Sequence, residues 1–312
     1  MIAFKFFFLC VIGAVCVSAG GSAKIGAPAG DFDNWVFATY WEDQWIQSSC
    51  SDDFLVDHFN ATSYGATHLS LHGMWPNYNY TTRGYDYPAY CEDGDDDYTK
   101  CQYSDAPDYC FPSSQTLSEF NVTNRWMAYA TEYSWATLAS HEWGKHGGCT
   151  GWTQEYFFNV DEQMYNWLKG GSGFAYVTSH VGQTVPYNDL YNAFSKDTDG
   201  KRLVFQCEDG CHFSEFWMGW QADQTTLLPT YPIDLSSGDT DTCLQNNCDN
   251  VIIADYSDTC ARCQDGQRGP ACVYSSSTSG TDQDPCLEFA DCVRCASTSH
   301  DGVHYCTNQE SF

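Results

Sequence analysis

Cysteine usage constrains this chain more than any other feature. Lys5, an apolar run from Phe6 to Val17 and the small residues Val17-Ser18-Ala19 read as a secretory signal peptide over residues 1–19, too short for a membrane-spanning helix. Cys10 and Cys16 leave with it, so sixteen of the 18 cysteines enter an oxidising compartment, an even number that disulfides can consume. No later run is long enough to be read as a transmembrane segment. The N-x-S/T sites at Asn60, Asn79 and Asn121 fit the same route. The expected localisation is outside the cell, or the lumen of a lysosome or vacuole.

Within that frame, chemistry concentrates in His141-Glu142-Trp143-Gly144-Lys145-His146-Gly147-Gly148-Cys149. On an α-helix, Glu142 and His146 stand at i,i+4, and so do His141 and Lys145. The motif of a zinc protease, H-E-x-x-H, is excluded on this reading. The second histidine falls five residues on, about 140° round an α-helix, and an ammonium takes the ligand's place. Cations near a helix C-terminus also suit the macrodipole, which is the plainer alternative. The mixture of groups points instead to acid–base work on an anion. His146 is the proton carrier, Lys145 and His141 supply positive charge, and Glu142 is an orienter or hydrogen-bond partner. No metal and no cofactor is called for.

A second segment, His68-Leu69-Ser70-Leu71-His72-Gly73-Met74-Trp75-Pro76-Asn77, alternates like a short strand. The alternation places His68, Ser70 and His72 on one face and Leu69 and Leu71 on the core side. Trp75 is presented beside His72.

Together L-H-G-M-W-P and H-E-W-G-K-H-G-G-C resemble the two active-site segments of the ribonuclease T2 family, in the family's order. A weaker likeness runs from about Trp35 to Cys243. Three positions depart from the family pattern: Met74 where Leu is usual, Gly148 where Thr is usual, and Asn77 where Asp is frequent. None is a proton-transfer group, although Asn77 bears on base preference. The resemblance implies transesterification of single-stranded RNA through a 2′,3′-cyclic phosphate, with His146 as base and His72 as acid. It further implies that Lys145 and Glu142 flank the phosphorane and that His141 holds the phosphate. Trp75 would bind substrate by stacking a base, worth about 1–3 kcal/mol. DNA lacks the attacking hydroxyl and is not an expected substrate. The resemblance also pairs Cys149 with a cysteine beyond the first motif, Cys91 in first place, leaving Cys101–Cys110 as a local bridge. The acidic surroundings predict raised histidine pKa values and an acid optimum.

A formal net charge of −28 argues against a broad nucleic-acid footprint, because such a surface cannot displace counterions along a polyanion. Local cations suffice for one scissile phosphate, so a short footprint is expected. The acidic run Glu92, Asp93, Asp95, Asp96, Asp97 reads as a solvated loop, since its spacing is not that of an EF-hand.

Strands are expected over 35–41, 202–207 and 213–220, with helices over 116–130, 133–147, 153–169 and 187–194. A short helix or loop is expected over 52–59. The fold class is α+β, an antiparallel β-sheet packed with helices over residues 20–246. Residues 247–312 form a cysteine-rich extension, with eight cysteines between 248 and 306 and C-x2-C at Cys260/Cys263 and Cys292/Cys295. Disulfides are the expected staple there, rather than structural zinc, because apolar content is sparse. The extension's partner is open. The competing functional class is a secreted binding or signalling protein that acts through this extension on a ribonuclease scaffold. Loss of His72 or His146 would mark it, and both are present.

Overall fold

Seven strands make the principal sheet in the computed structural model, which describes residues 22–48, 63–79, 83–120, 131–133, 136–208, 210–236, 239–256, 273–275, 294–300 and 303–307. They are β1 (Asn34–Tyr40), β2 (Ser70–Asn77), β3 (Gln183–Pro186), β4 (Val204–Glu208), β5 (His212–Ala222), β6 (Pro229–Ile233) and β7 (Asn250–Ile253). The order is β2-β1-β5-β7-β3, with β4 and β6 also paired to β5. Pairing is antiparallel except at a single parallel contact, His212 with Ile252, so the sheet is mixed rather than purely antiparallel.

Period-two alternation gives the sheet two faces. Trp35, Phe37, Leu71, Met74, Phe216 and Met218 pack toward the helices in the larger core cluster. Val36, Ala38 and Trp217 turn to the other side, where Val204, Leu235 and the half-buried Trp75 complete a smaller cluster. The helices are α1 (Glu42–Ser48), α2 (Ser114–Phe120), α3 (Leu138–His141), α4 (Gln154–Lys169), α5 (Ser172–Ser179), α6 (Tyr187–Ser195) and α7 (Thr242–Gln245). The Thr153 hydroxyl caps α4 by accepting from the Tyr156 N–H, and the helix then buries Phe157, Phe158, Val160, Met164, Tyr165 and Leu168. On α6, Phe194 stacks on Phe216 at 4.0 Å between ring centroids.

Two boundaries differ from expectation. The helix expected over 133–147 begins at Leu138, because Thr131–Tyr133 pairs with Ala136–Thr137 and the Thr137 hydroxyl caps the first turn. The domain boundary expected at 246/247 falls inside the fold. Cys248 is bonded to Cys211, β7 pairs with β3, and the Trp41 indole donates to the carbonyl of Ala254. Burial of Val251 and Ile253 completes that edge of the core. In the extension, Val273–Ser275, Arg294–His300 and Val303–Thr307 form a three-stranded antiparallel sheet. The leader expected over residues 1–19, residues 52–59, Asn60, Asn121 and most of the extension's cysteines lie outside the described residues. No helix among the described residues is long and apolar enough to cross a membrane.

Candidate active site

The strand half of the site is set by one extra residue. Ala38 pairs with Gly73 and Thr39 with Leu71, so His72 is the unpaired residue of a β-bulge. A bulge resets the alternation, which lets Leu71 and Met74 both face the core while His72 is re-aimed toward Tyr40 and Trp75. His68 does not share that face. It lies ahead of the strand, stacked on Tyr64 at 4.3 Å with its Nδ1 3.2 Å from the Tyr64 carbonyl oxygen.

The helical half departs from α geometry at the residues that matter. After α3 the chain runs through a π-helical turn, Glu142–His146, then a 3-10 turn, Gly147–Cys149. A π turn closes on i+5 rather than i+4 and is common at functional sites. His141 and His146, five apart, therefore lie with ring centroids 6.0 Å apart instead of on diverging faces. This corrects the helical-wheel reason for excluding a metal, since ligand atoms of His141, Glu142 and His146 all fall within 4.8 Å of one another. Electrostatics speak against a cation there, because the Lys145 ammonium sits 3.4 Å from the His141 Nε2.

Glu142 is the point on which the two halves meet. Its Oε2 accepts the Trp75 indole N–H at 2.7 Å, and its Oε1 lies 3.5 Å from the His72 Nε2. A Cβ at position 73 would stand 2.1 Å from the Glu142 Oε2, so glycine in the first motif makes room for the glutamate of the second. Trp75 contacts both imidazoles, His72 edge-on at 4.8 Å and His146 stacked at 5.4 Å. Covalent and backbone links hold the arrangement: Cys91 is bonded to Cys149, and the Tyr90 N–H donates to the Lys145 carbonyl at 3.0 Å.

The two candidate proton carriers sit in opposite environments. Burial by itself would lower the His72 pKa, but Glu215 and Glu142 more than reverse it, and the imidazole is pushed up to about 9. His146 is held well below the ordinary histidine value, by burial first and then by Lys145, His141 and His72. His141 is lowered for the same reasons, burial leading and Lys145 next. The expectation that acidic surroundings raise histidine pKa values thus holds for His72 and fails for His141 and His146. Beneath the site, Asp161 of α4 is wholly buried with neither carboxyl oxygen hydrogen-bonded, and burial, then the nearby Glu142, raises its pKa well above the carboxylate range.

The profile of the Ribonuclease T2 family matches residues 37–248. The chain belongs to the ribonuclease T2 family.

Among curated relatives, it is 30% identical over 150 residues to the extracellular ribonuclease LE of Solanum lycopersicum, covering 47% of this chain and 52% of that protein. The chain thus spans about half the length of that relative. Against ribonuclease I of Escherichia coli (strain K12) the identity is 23% over 195 residues, covering 57% of this chain and 70% of the relative. Among solved structures, the S-like ribonuclease trichomaglin aligns at a TM-score of 0.47 and 12% identity, over 72% of this chain and 98% of that one.

Within this ribonuclease T2 fold the structure brings together His72, Trp75, His141, Glu142, Lys145 and His146, from two separate segments. Gly148, where the family usually carries Thr, has a local cause: a Cβ there would meet the Tyr98 ring at 2.5 Å. Cys101–Cys110, the bridge left by the Cys91–Cys149 pairing, is present, and Cys207–Cys243 and Cys211–Cys248 close the C-terminal strands. Two residues outside both motifs also face His72. Tyr40 stacks on His72 at 3.8 Å and its hydroxyl lies 2.8 Å from the Nε2. Glu215 places its Oε2 3.5 Å from the His72 Nδ1. Their only sequence signal is a place in a strand whose partners are known only after folding.

Proposed function

We propose that this protein is a secreted endoribonuclease that cleaves single-stranded RNA by metal-independent transesterification. The observation that carries the reading is the convergence of His72, His141 and His146 on the buried Glu142, with Lys145 beside His141 and with surroundings that raise the pKa of His72 and lower that of His146. Groups whose surroundings drive their pKa values apart are suited to opposite roles in one proton-transfer reaction. Neutral His146 takes the proton of the ribose 2′-hydroxyl, whose oxygen attacks the adjacent phosphorus. His72, as imidazolium, gives its proton to the departing 5′-oxygen, and a 2′,3′-cyclic phosphate remains. Lys145 offsets charge on the pentavalent phosphorus, Glu142 orients its oxygens, and His141 holds the phosphate. Trp75 anchors Glu142 through its N–H, and its half-buried ring leaves surface on which a base can stack.

The leader at 1–19 and the disulfides support passage through the secretory pathway, with the cell exterior or an acidic organelle as destination. The net charge of −28 supports a footprint of one or two nucleotides, and the absent 2′-hydroxyl removes DNA as a substrate. In the free enzyme, kcat/KM should rise through the low pKa of His146 and fall near pH 9, where His72 loses its proton. The test is digestion of RNA in EDTA by the parent and by His146→Ala, with analysis of product ends. Cyclic phosphate from the parent alone supports the reading. Equal cleavage by both proteins, or none by the parent, overturns it.

A further inference from the structure

We infer that Glu215 is the positioning residue for His72, holding the ring by its Nδ1 edge so that the Nε2 proton is the one presented for transfer. The inference rests on the ribonuclease reading above and adds a residue that neither active-site motif contains. Glu215 comes from β5, where it pairs with Tyr40 of β1, and Tyr40 in turn pairs with Ser70 of β2. Residues opposite one another across a sheet point to the same face, so this register brings a carboxylate two strands across to the bulged histidine.

The contact is edge-specific. Glu215 Oε2 lies 3.5 Å from Nδ1, whereas the Nε2 faces the Tyr40 hydroxyl at 2.8 Å and Glu142 Oε1 at 3.5 Å. At 3.5 Å the Glu215 contact is an ion pair rather than a tight hydrogen bond, and both side chains are only 12% exposed. Little solvent therefore screens it. The carboxylate is itself fixed: the Trp217 indole N–H donates to the same Oε2, and Trp217 packs edge-on against Trp75 at 5.6 Å. The carboxylate that holds His72 and the one that Trp75 holds are thus braced by neighbouring indoles.

The groups facing His72 can be named by element. Tyr40 comes from β1, Glu215 from β5, Glu142, His141 and His146 from α3 and its π turn, and Asp161 from α4. Among them Glu215 and Glu142 favour the cation. Glu142 already serves Trp75 and the phosphate side, which leaves Glu215 as the group assigned to the Nδ1 edge. An imidazolium whose Nδ1 edge faces a fixed carboxylate is held in one orientation, and once Nε2 gives up its proton the remaining one is favoured on the Nδ1 side.

The experiment compares Glu215→Gln and Glu215→Asp with the parent by NMR titration of the His72 ring and by the pH dependence of RNA cleavage. Glu215→Gln should lower both the ring's titration midpoint and the alkaline limb of kcat/KM by roughly one to three pH units. It should lower kcat more than it raises KM. Glu215→Asp keeps the charge and should return both toward the parent values, which a merely structural side chain would not do. A folded Glu215→Gln with midpoint and limb unmoved overturns the assignment. If Glu215→Gln does not fold, a Glu215→Asp protein that titrates as glutamine is expected to, with the midpoint down by the full amount, overturns it too. Failure of the parent to cleave RNA would sink the ribonuclease reading instead, and the titration would still decide the contact.

Discussion

His72 and His146 are the same residue placed in opposite surroundings, and the contrast shows how one fold drives the pKa of one side chain in opposite directions. His72 rides on a bulged strand with two glutamates against its ring. His146 ends a π turn behind a lysine and a second histidine, and burial, then Lys145, His141 and His72, lower its pKa. Both rings are largely withdrawn from water. Withdrawal alone disfavours the imidazolium, and it is obeyed at His146 and overruled at His72. Charge neighbours, supplied by different elements, decide the outcome.

The largest effect should come from removing either ring. His72→Ala and His146→Ala should each cost at least about 10²–10⁴ in kcat. The variants should differ in shape as well: His146→Ala should lose the acid limb of the pH–rate profile and His72→Ala the limb near pH 9. Steady-state kinetics from pH 4 to 10 would expose a swap of the two roles.

Lys145→Met removes the cation that helps keep His146 neutral and His141 low. A fall of about a hundredfold in kcat is expected from lost charge stabilisation. The acid limb should move upward at the same time, because His146 then protonates more readily. An unmoved acid limb would mean that burial and the neighbouring histidines hold His146 down without Lys145.

Joining the halves is the task of Cys91–Cys149, whose loop also carries Tyr90 onto the Lys145 carbonyl. Replacing both cysteines by alanine should cost about 2–4 kcal/mol of stability by denaturant unfolding. Activity of the protein that remains folded should fall as well, since misplacement by an ångström is costly to catalysis. Full activity in the double variant would show that packing on Trp75 suffices to align the rings.

A stability effect away from the site isolates burial without a countercharge. Glu42 of α1 is buried, and burial pushes its carboxyl up to about 8. Its folded pKa lies above the ordinary value of 4.5, so the folded state holds a proton the unfolded state has released. That contribution to stability is complete below about pH 4.5 and is lost as pH rises toward 8, at about 1.4 kcal/mol per unit within the window. Glu42→Gln should flatten the dependence of Tm on pH across that interval, and an unchanged slope would contradict it.

Both histidine segments and the amphipathic helix that became α4 were legible in the sequence, because their spacing is local. What was not legible depends on registers between distant strands. One unpaired residue makes the bulge at His72, and nothing in L-S-L-H-G-M announces where the ladder slips. The π turn likewise hides in a stretch that an α-helix would fit, and only the gathered rings of His141 and His146 reveal it. Glu215 reads as an ordinary polar position in Phe213–Trp220 until the order β2-β1-β5 carries it to His72. Cysteine density suggests a boundary at 246/247, but Cys248 is bonded to Cys211 and ties the strand β7 beyond it into the fold.

The most direct test is a histidine-resolved NMR titration of the free protein, with signals assigned through His72→Asn and His146→Asn. The account predicts that the His72 ring stays cationic until about pH 9 while the His146 ring is already neutral well below pH 6.5. Midpoints that coincide near 6.5, or that fall in the reverse order, would contradict it.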